Sequence, residues 1–226
     1  MLLIFVSIIV NFFIESLSWY IKAIALPGNI GKSISISNMI LYSSRIFNYL
    51  FLTSISIYVD QNSSLRELLL VVILSMFISF IVHYLFFTSK FAILYFEKLI
   101  AIVCNWNYRV KNAFSTLSFK NLNREIFDRQ ILLYTTISSY LFSATLILPY
   151  VVTYFIPKFK LTIVSFGSIG NFLATMPLIF YVDFVLHTYM DKTLLFNRLY
   201  SYILGRALGF LFFAITLSVF FVFFYK

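Results

Sequence analysis

The chain has 226 residues, of which 62% are hydrophobic and only 11% are charged, and its mean hydropathy is +0.95. A soluble domain carries about 25% charged residues, so this composition excludes an ordinary soluble fold. The net charge of +9 comes largely from loops between apolar runs, which indicates membrane topology rather than nucleic-acid binding, and the single cysteine excludes an internal disulfide.

Six apolar runs are each long enough to cross the hydrocarbon core of a bilayer, which takes about 20 helical residues. Their period is helical and lacks the alternation of a membrane barrel. We therefore predict one all-α domain, 1–226, that is a polytopic integral membrane protein. The predicted transmembrane helices are 2–26, 35–59, 67–89, 131–156, 161–187 and 200–225.

The first predicted span begins without a preceding basic residue, is interrupted by Glu15 and is followed by no small-residue cleavage site. We therefore expect a transmembrane helix rather than a cleaved signal. Its polar residues share one helical face: Asn11, Glu15, Ser18 and Lys22.

The second span carries a permanent positive charge, Arg45, near its middle, with other polar residues on the same face. A charge at the centre of a membrane costs at least about 2.5–3.5 kcal/mol. We therefore expect these side chains to face a hydrophilic cavity. The simpler alternative is a structural lock, in which Glu15 pairs with Arg45 or Arg206. The polar stripe consists of Asn38, Tyr42, Arg45, Tyr49, Ser56 and Asp60.

The third span contains a lone His83, which is expected to form hydrogen bonds between helices. The segment after it, about 90–130, carries seven basic residues and an apolar first part, FAILYFEKLIAIVCNW. These features predict one or two amphipathic helices along the cytoplasmic interface, in contact with anionic membrane lipids.

The fifth span contains FYVD (180–183), which is similar to IYVD (57–60) in the second span. Asn171 precedes FYVD, and Asn38 precedes IYVD. This pattern raises the alternative of two three-helix halves related as an inverted repeat.

The same span ends in an acidic and histidine-containing face. Asp183, His187 and Asp191 lie at i, i+4 and i+8, where they could ligate a divalent metal. The spacing matches no established metal motif, so we expect no metal here.

The sixth span contains GRALG (205–209), whose two glycines allow a neighbouring helix to approach closely. It also supplies Arg206 to the interior of the predicted bundle. Because arginine stays charged and binds phosphate through two hydrogen bonds, a cavity holding Arg45 and Arg206 suits an anionic, phosphate-bearing ligand.

Basic residues are divided unequally between the two sides of the predicted bundle. Eleven lie in or beside the loops 22–34, 90–130 and 188–199, whereas four lie on the other side. The positive-inside rule places the first side in the cytoplasm. We therefore predict a multi-pass plasma-membrane protein with both termini extracytoplasmic.

Sequence signatures of enzymes are absent, because the chain has no Gly-rich phosphate loop, no HExxH and no GxSxG. We therefore expect a transporter rather than an enzyme, and no cofactor.

Two stretches carry polar and small residues in a distinctive order. They are Glu15, Asn38, Ser44, Arg45 and Asn48 in the stretch 15–50, and Gly170, Val182, Asp183 and Asp191 in the stretch 168–192. In these positions the two stretches resemble the Amj family, the alternate lipid II flippases of bacteria. The GRALG segment is similar to the last, Arg-containing span of that family.

The resemblance implies that the chain moves lipid II, the undecaprenyl-pyrophosphate-linked disaccharide-pentapeptide, from the inner to the outer leaflet of the bacterial plasma membrane for peptidoglycan synthesis. It would place the pyrophosphate on Arg45, Lys22 and Arg206. It would assign sugar or peptide to Asn38, Tyr42 and Asn48, and charge balance or proton coupling to Glu15, Asp183 and Asp191.

Three alternatives stay open on the sequence. They are an exporter of another lipid-linked or phosphorylated solute, a metal-dependent membrane enzyme acting on a polyprenyl phosphate, and a scaffold subunit of an envelope machine. The oligomeric state and the energy source also stay open.

Overall fold

The computed structural model describes residues 1–23, 30–61, 64–88, 128–191 and 195–225, all of them helical apart from short connections. The predicted interfacial segment 90–130 lies outside the described residues, except for its last three positions. The helices are α1 (Leu2–Ala23), α2 (Ile30–Asp60), α3 (Leu65–Thr88), α4 (Arg129–Phe155), α5 (Lys160–Pro177), α6 (Phe184–Asp191) and α7 (Leu195–Tyr225).

Five helical stretches are long and apolar enough to cross a membrane, which supports a multi-pass, all-α membrane protein. They are Leu2–Lys22, Leu65–Phe86, Arg129–Phe155, Pro157–Thr188 and Arg198–Tyr225. The predicted second span forms the 31-residue helix α2, which is long enough but more polar than the others. Its crossing of the membrane stays a prediction, and so does the inverted repeat.

Side-chain contacts give the relative directions of the helices. Phe12 stacks on Phe210 and Trp19 lies near Tyr202, so α1 and α7 run antiparallel. The beginning of α1 and the end of α7 therefore lie at the same end of the bundle, which we call the outer end. The opposite end, where α1 ends and α7 begins, is the inner end. This agrees with the prediction that both termini share one side.

Helices α4 and α7 run parallel and in close contact, as the two glycines of GRALG predict. A Cβ atom on Gly205 would lie 2.8 Å from the carbonyl oxygen of Leu132, and one on Gly209 would lie 2.6 Å from Ser139 Cβ. The small residues thus set the distance between the backbones. The prediction of a close helix approach at GRALG is confirmed.

The cap of α4 also joins the two helices at the inner end. The side chain of Asp128 accepts hydrogen bonds from the backbone N–H groups of Gln130 and Ile131, at 3.0 and 3.1 Å. Its backbone N–H donates to Ser201 Oγ at 2.9 Å, and Arg198 lies 3.6 Å from its carboxylate. An N-cap on α4 is thereby tied to the first turns of α7.

His83 is fully buried between α3 and α1. Its Nδ1 lies 2.7 Å from the carbonyl oxygen of Ser79, and its Nε2 lies 2.9 Å from Ser16 Oγ and 3.2 Å from the Phe12 carbonyl. The prediction of an interhelical hydrogen-bonding histidine is confirmed.

The predicted fifth span is not one uniform α-helix. After Pro177, which ends α5, a π-helical turn covers Leu178–Asp183 before α6 continues. Proline lacks the N–H group that would complete the preceding turn, so a change of helical winding at this point has a local cause. The turn changes the rotation of every residue after it, including Asp183.

Candidate functional site

A cavity of about 400 Å³ lies among α1, α2, α4, α5, the π-helical turn and α7. Polar side chains from all six of these elements face it, which agrees with the predicted hydrophilic interior. The lining residues are Asn11, Glu15, Ser18, Trp19, Leu41, Ser44, Arg45, Asn48, Ser139, Phe142, Asn171, Thr175, Leu178, Ile179, Asp183, Tyr202 and Arg206.

One wall of the cavity carries an ion pair between α1 and α7. The carboxylate of Glu15 accepts a hydrogen bond from Nη2 of Arg206, and Nη1 of Arg206 donates to the hydroxyl of Tyr202 at 3.1 Å. Arg206 is only 5% exposed. The structural lock considered from the sequence is therefore formed, with Arg206 as the partner of Glu15.

Arg45 stands on another wall and has different surroundings. Its guanidinium lies over the ring of Tyr42, 4.7 Å from the centroid, and the side chain is exposed. Within the described residues it forms no ion pair. Arg45 is thus a cation at the edge of the cavity that no carboxylate of the described segments neutralises.

Several buried polar atoms on the cavity walls have no hydrogen-bond partner among the described residues. They include the amide oxygens of Asn11, Asn48 and Asn171, Ser139 Oγ and Arg206 Nε. An unsatisfied buried polar group costs about 1–3 kcal/mol, so each of these atoms is a position where a ligand or water would form a bond.

The inner end of the cavity is closed by aromatic and charged side chains. The Nζ atom of Lys22 lies 4.1 Å from the centre of the Trp19 ring, and His187 packs against the same ring at 5.0 Å. The carbonyl oxygen of Asp183 lies 2.6 Å from His187 Nδ1, while the Asp183 side chain lines the cavity. The π-helical turn positions this carboxylate.

A second, smaller cavity of about 110 Å³ adjoins the first on its outer side. Asn48 and Asn171 line both cavities, one from α2 and the other from α5. Beyond them the smaller cavity is bounded by Pro149, Gly167 and Val164. The two amides therefore mark the junction of two spaces arranged in series along the bundle.

Helices α2 and α5 flank the main cavity but pack chiefly against other helices. The main partner of α2 is α1, and that of α5 is α4. At their outer ends the two helices are joined by an ion pair between Asp60 and Lys160. Direct packing between α2 and α5 beside the cavity is thus slight.

The structure brings together five of the predicted site residues on the main cavity and leaves the others elsewhere. Asn38 and Tyr42 are exposed and do not line it, and Lys22 is buried beside Trp19 at its inner end. The side chain of Asp191 lies outside the described residues, so the three-residue metal alternative is not tested. The five that line the cavity are Glu15, Arg45, Asn48, Asp183 and Arg206.

The rotation of α2 explains why its predicted stripe only partly faces the cavity. Ser37 Oγ donates to the carbonyl oxygen of Ser18 at 2.7 Å, and Ser44 is buried on the same side, so these small residues form the face toward α1. The cavity then receives Leu41, Ser44, Arg45 and Asn48 rather than Asn38 and Tyr42.

Sequence reasoning did not assign Asn11, Ser139 or Asn171 to the site. Asn11 belongs to the polar face of the first span, which was a usable signal, and Asn171 appeared only in the repeat pattern. Ser139 gave no signal, because a serine in a membrane helix more often bonds to its own backbone.

Comparisons with known proteins yield no family model, no curated protein and no solved structure that matches this chain. The cavity is therefore interpreted from its own residues.

Proposed function

We propose that this chain is a lipid II flippase, in which the pyrophosphate of the lipid binds Arg45 while its head group crosses through the polar cavity. The observation that carries the proposal is an arginine on the wall of a cavity among candidate membrane helices, with no carboxylate partner among the described residues. The resemblance of residues 15–50 and 168–192 to the Amj family agrees with this function.

The immediate surroundings of Arg45 support an anionic ligand at that wall of the cavity, whereas the Asp183 carboxylate lies on the π-helical turn. Glu15 compensates Arg206, so the pair contributes no net charge to the cavity wall. Arg45 remains as the group able to form charge-assisted, bidentate hydrogen bonds to phosphate oxygens. Arg206 then acts as a support of the wall rather than as the main phosphate ligand, which differs from the role that the resemblance implies.

The position of the cavity supports a lipid-linked ligand. The side between α2 and α5 has little helix packing, and both helices expose apolar residues such as Ile46 and Phe172. A polyprenyl chain could remain among the acyl chains there while the phosphate reached Arg45. Transport of a polar head with its tail in lipid needs such a lateral opening.

The volume of the main cavity limits how much of the head group it holds. About 400 Å³ is near the lower end of small-molecule sites, which occupy about 300–1,000 Å³. It suits a pyrophosphate and the sugar next to it, whereas the peptide of lipid II would extend through the side between α2 and α5.

Reconstituted transport tests the proposal. The purified chain in liposomes should move fluorescent lipid II between leaflets, and Arg45→Ala should slow this at least tenfold, since a hydrogen bond to a charged group contributes about 1.5–3 kcal/mol. Arg45→Lys should retain part of the activity, because it keeps the charge but loses the bidentate geometry.

The matched control is Thr53→Leu, which changes an exposed residue of the same helix that lines neither cavity. It should transport like the original chain. Undiminished transport by Arg45→Ala would remove the central assignment. A complementary test is whether the chain keeps bacteria alive when their principal lipid II flippase is depleted.

A second candidate is transfer of a lipid-linked phosphate with a smaller head group, and the limited cavity volume favours it. Transport of polyprenyl phosphates carrying one sugar, but not of lipid II, would select this function. Competition between the two lipids in the same liposomes measures the difference directly.

A further inference from the structure

We infer that the main cavity recognises a glycosylated phosphate, in which Arg45 binds the phosphate and the amides of Asn48 and Asn171 accept hydrogen bonds from the first sugar. The inference rests on the proposed function and deepens it, because it assigns a sugar subsite and a selectivity to the same cavity. A polyprenyl pyrophosphate without a sugar would fill only half of the site.

The chemistry of the unpartnered atoms carries the inference. The amide oxygens of Asn48, Asn171 and Asn11 are acceptors, and none receives a hydrogen bond from a described residue. A phosphate offers only further acceptors, which cannot satisfy them. Sugar hydroxyls and the N–H of an N-acetyl group are donors, and in a glycosylated phosphate they lie directly beside the group that Arg45 would bind, so the first sugar can complete these bonds.

Asn11 shows that α1 also contributes polar groups to the cavity wall, in addition to the flanking helices α2 and α5. It is 3% exposed, belongs to α1 and lines the cavity with its amide oxygen unpartnered. Ser139 Oγ on α4 and Arg206 Nε on α7 are unpartnered on the walls of the same cavity. Three helices thus present polar atoms that only a ligand or water can reach.

The spacing along α2 fits adjacent subsites. Arg45 and Asn48 are three residues apart on one face, which corresponds to about 4.5 Å along the helix axis. That separation is comparable to the step from a phosphate to the sugar ring bonded to it. Asn171 on α5 lines the same junction from another helix, so the sugar would lie between two amides.

Binding measurements in nanodiscs test the subsite. The probes are undecaprenyl pyrophosphate and the same lipid carrying one N-acetylated sugar. The original chain should bind the glycosylated lipid at least about fivefold more tightly, which is the contribution of one net hydrogen bond. Asn48→Leu and Asn171→Leu should each reduce this preference, and the double variant should abolish it while keeping its affinity for the sugar-free lipid.

Two controls separate loss of the amide from a general effect of leucine. Thr53→Leu on α2 and Thr162→Leu on α5 change exposed polar residues that line neither cavity, and both should keep the preference. Arg45→Ala should weaken the binding of both lipids by the same factor. Retained binding of the sugar-free lipid shows that the double variant is folded.

Equal binding of the two lipids by the original chain would overturn the inference and mean that the amides hold water. A double variant that keeps the sugar preference would overturn it as well. The proposed function fails separately: a chain that prefers the glycosylated lipid but does not move lipid II in liposomes would contradict the flippase and leave the subsite intact.

Discussion

Arg45 and Arg206 both lie within long helices, yet they have different partners. Arg206 is held by Glu15 and Tyr202 and is almost fully buried, whereas Arg45 lies over an aromatic ring at the edge of the cavity. A buried arginine whose carboxylate partner is removed becomes an uncompensated charge. The two residues should therefore respond differently to substitution, one in stability and the other in transport.

Glu15→Gln tests the structural part of this difference. It leaves Arg206 charged without its carboxylate, and it should lower the free energy of unfolding by about 3 kcal/mol, the lower end of the range for buried pairs, because the Glu15 side chain is 20% exposed. Thermal unfolding in detergent measures the change.

The control is Glu67→Gln, which changes an exposed carboxylate in the first turn of α3 that accepts a hydrogen bond from the Tyr58 hydroxyl. Glutamine keeps an acceptor there and loses only the charge at the helix start, so the effect should stay below about 1 kcal/mol. The double variant Glu15→Gln/Arg206→Gln should regain part of the loss, since no lone charge remains. Equal stability of Glu15→Gln and the original chain would show that the pair does not hold α1 to α7.

At the scale of helices, the pairing of α4 with α7 depends on glycine. A Cβ on Gly209 would lie 2.6 Å from Ser139 Cβ and 2.8 Å from the Thr136 carbonyl oxygen, so the obstacle includes backbone. At Gly170 the nearest atom is Thr145 Cγ2 at 2.8 Å, a side-chain methyl group that can rotate away. The two positions should therefore tolerate a methyl group to different degrees.

Gly209→Ala should lower the free energy of unfolding by about 1–3 kcal/mol through overpacking. Gly170→Ala should lower it by less. Parallel thermal unfolding of the two variants measures the difference. If Gly170→Ala were the more destabilising, α4 and α7 would not be held at the distance that GRALG imposes.

The helices and part of the cavity followed from sequence because they depend on local properties. Runs of apolar residues define a membrane helix, and the cost of a charge in lipid turns Glu15, Arg45, Asp183 and Arg206 inward. Of the six predicted spans, five are long and apolar enough to cross a membrane, and these four charged residues line the cavity as predicted.

The remaining features depend on packing between distant segments. The sequence did not decide whether Glu15 pairs with Arg45 or Arg206, because both are arginines at similar depth. It placed Asn38 and Tyr42 toward the cavity, since a helical wheel does not show that Ser37 packs against α1. The π-helical turn after Pro177 was also missed, because residues that form such a turn have no distinct composition.

At the scale of the whole molecule, the side between α2 and α5 is where a bulky head group would leave. The two helices are joined at the outer end by Asp60 and Lys160, and only small contacts connect α2 to α4 nearby, such as Ser56 to Tyr150 at 3.5 Å. Movement of α2 relative to α5 would widen this side without disturbing the α4–α7 pair.

A reversible cross-link tests whether that movement is needed. Asp60→Cys/Lys160→Cys is made with Cys104→Ser so that no other cysteine remains. It should transport while its thiols are free, and it should lose most of its transport when a thiol-reactive reagent with a cleavable disulfide spacer joins them, because a spacer is needed where only the tips of two side chains meet. Liposome assays before and after cleavage of the spacer measure both states of the same molecule.

The comparison is Asp128→Cys/Arg198→Cys, which links α4 and α7 where they stay packed. Joined by the same reagent, it should transport at the level of its own uncross-linked form. Full transport by the cross-linked 60–160 variant would mean that the outer ends of α2 and α5 do not separate.

The polarity of α2 has a consequence for biogenesis. Alone among the long helices of the described segments, α2 does not reach the hydropathy of a candidate span, yet α1 is its main packing partner. A helix with Arg45 at its centre would partition poorly into acyl chains by itself. The two helices would therefore leave the translocation channel together as a hairpin, so that the newborn chain already carries half of its polar chamber before α4 and α7 have been synthesised.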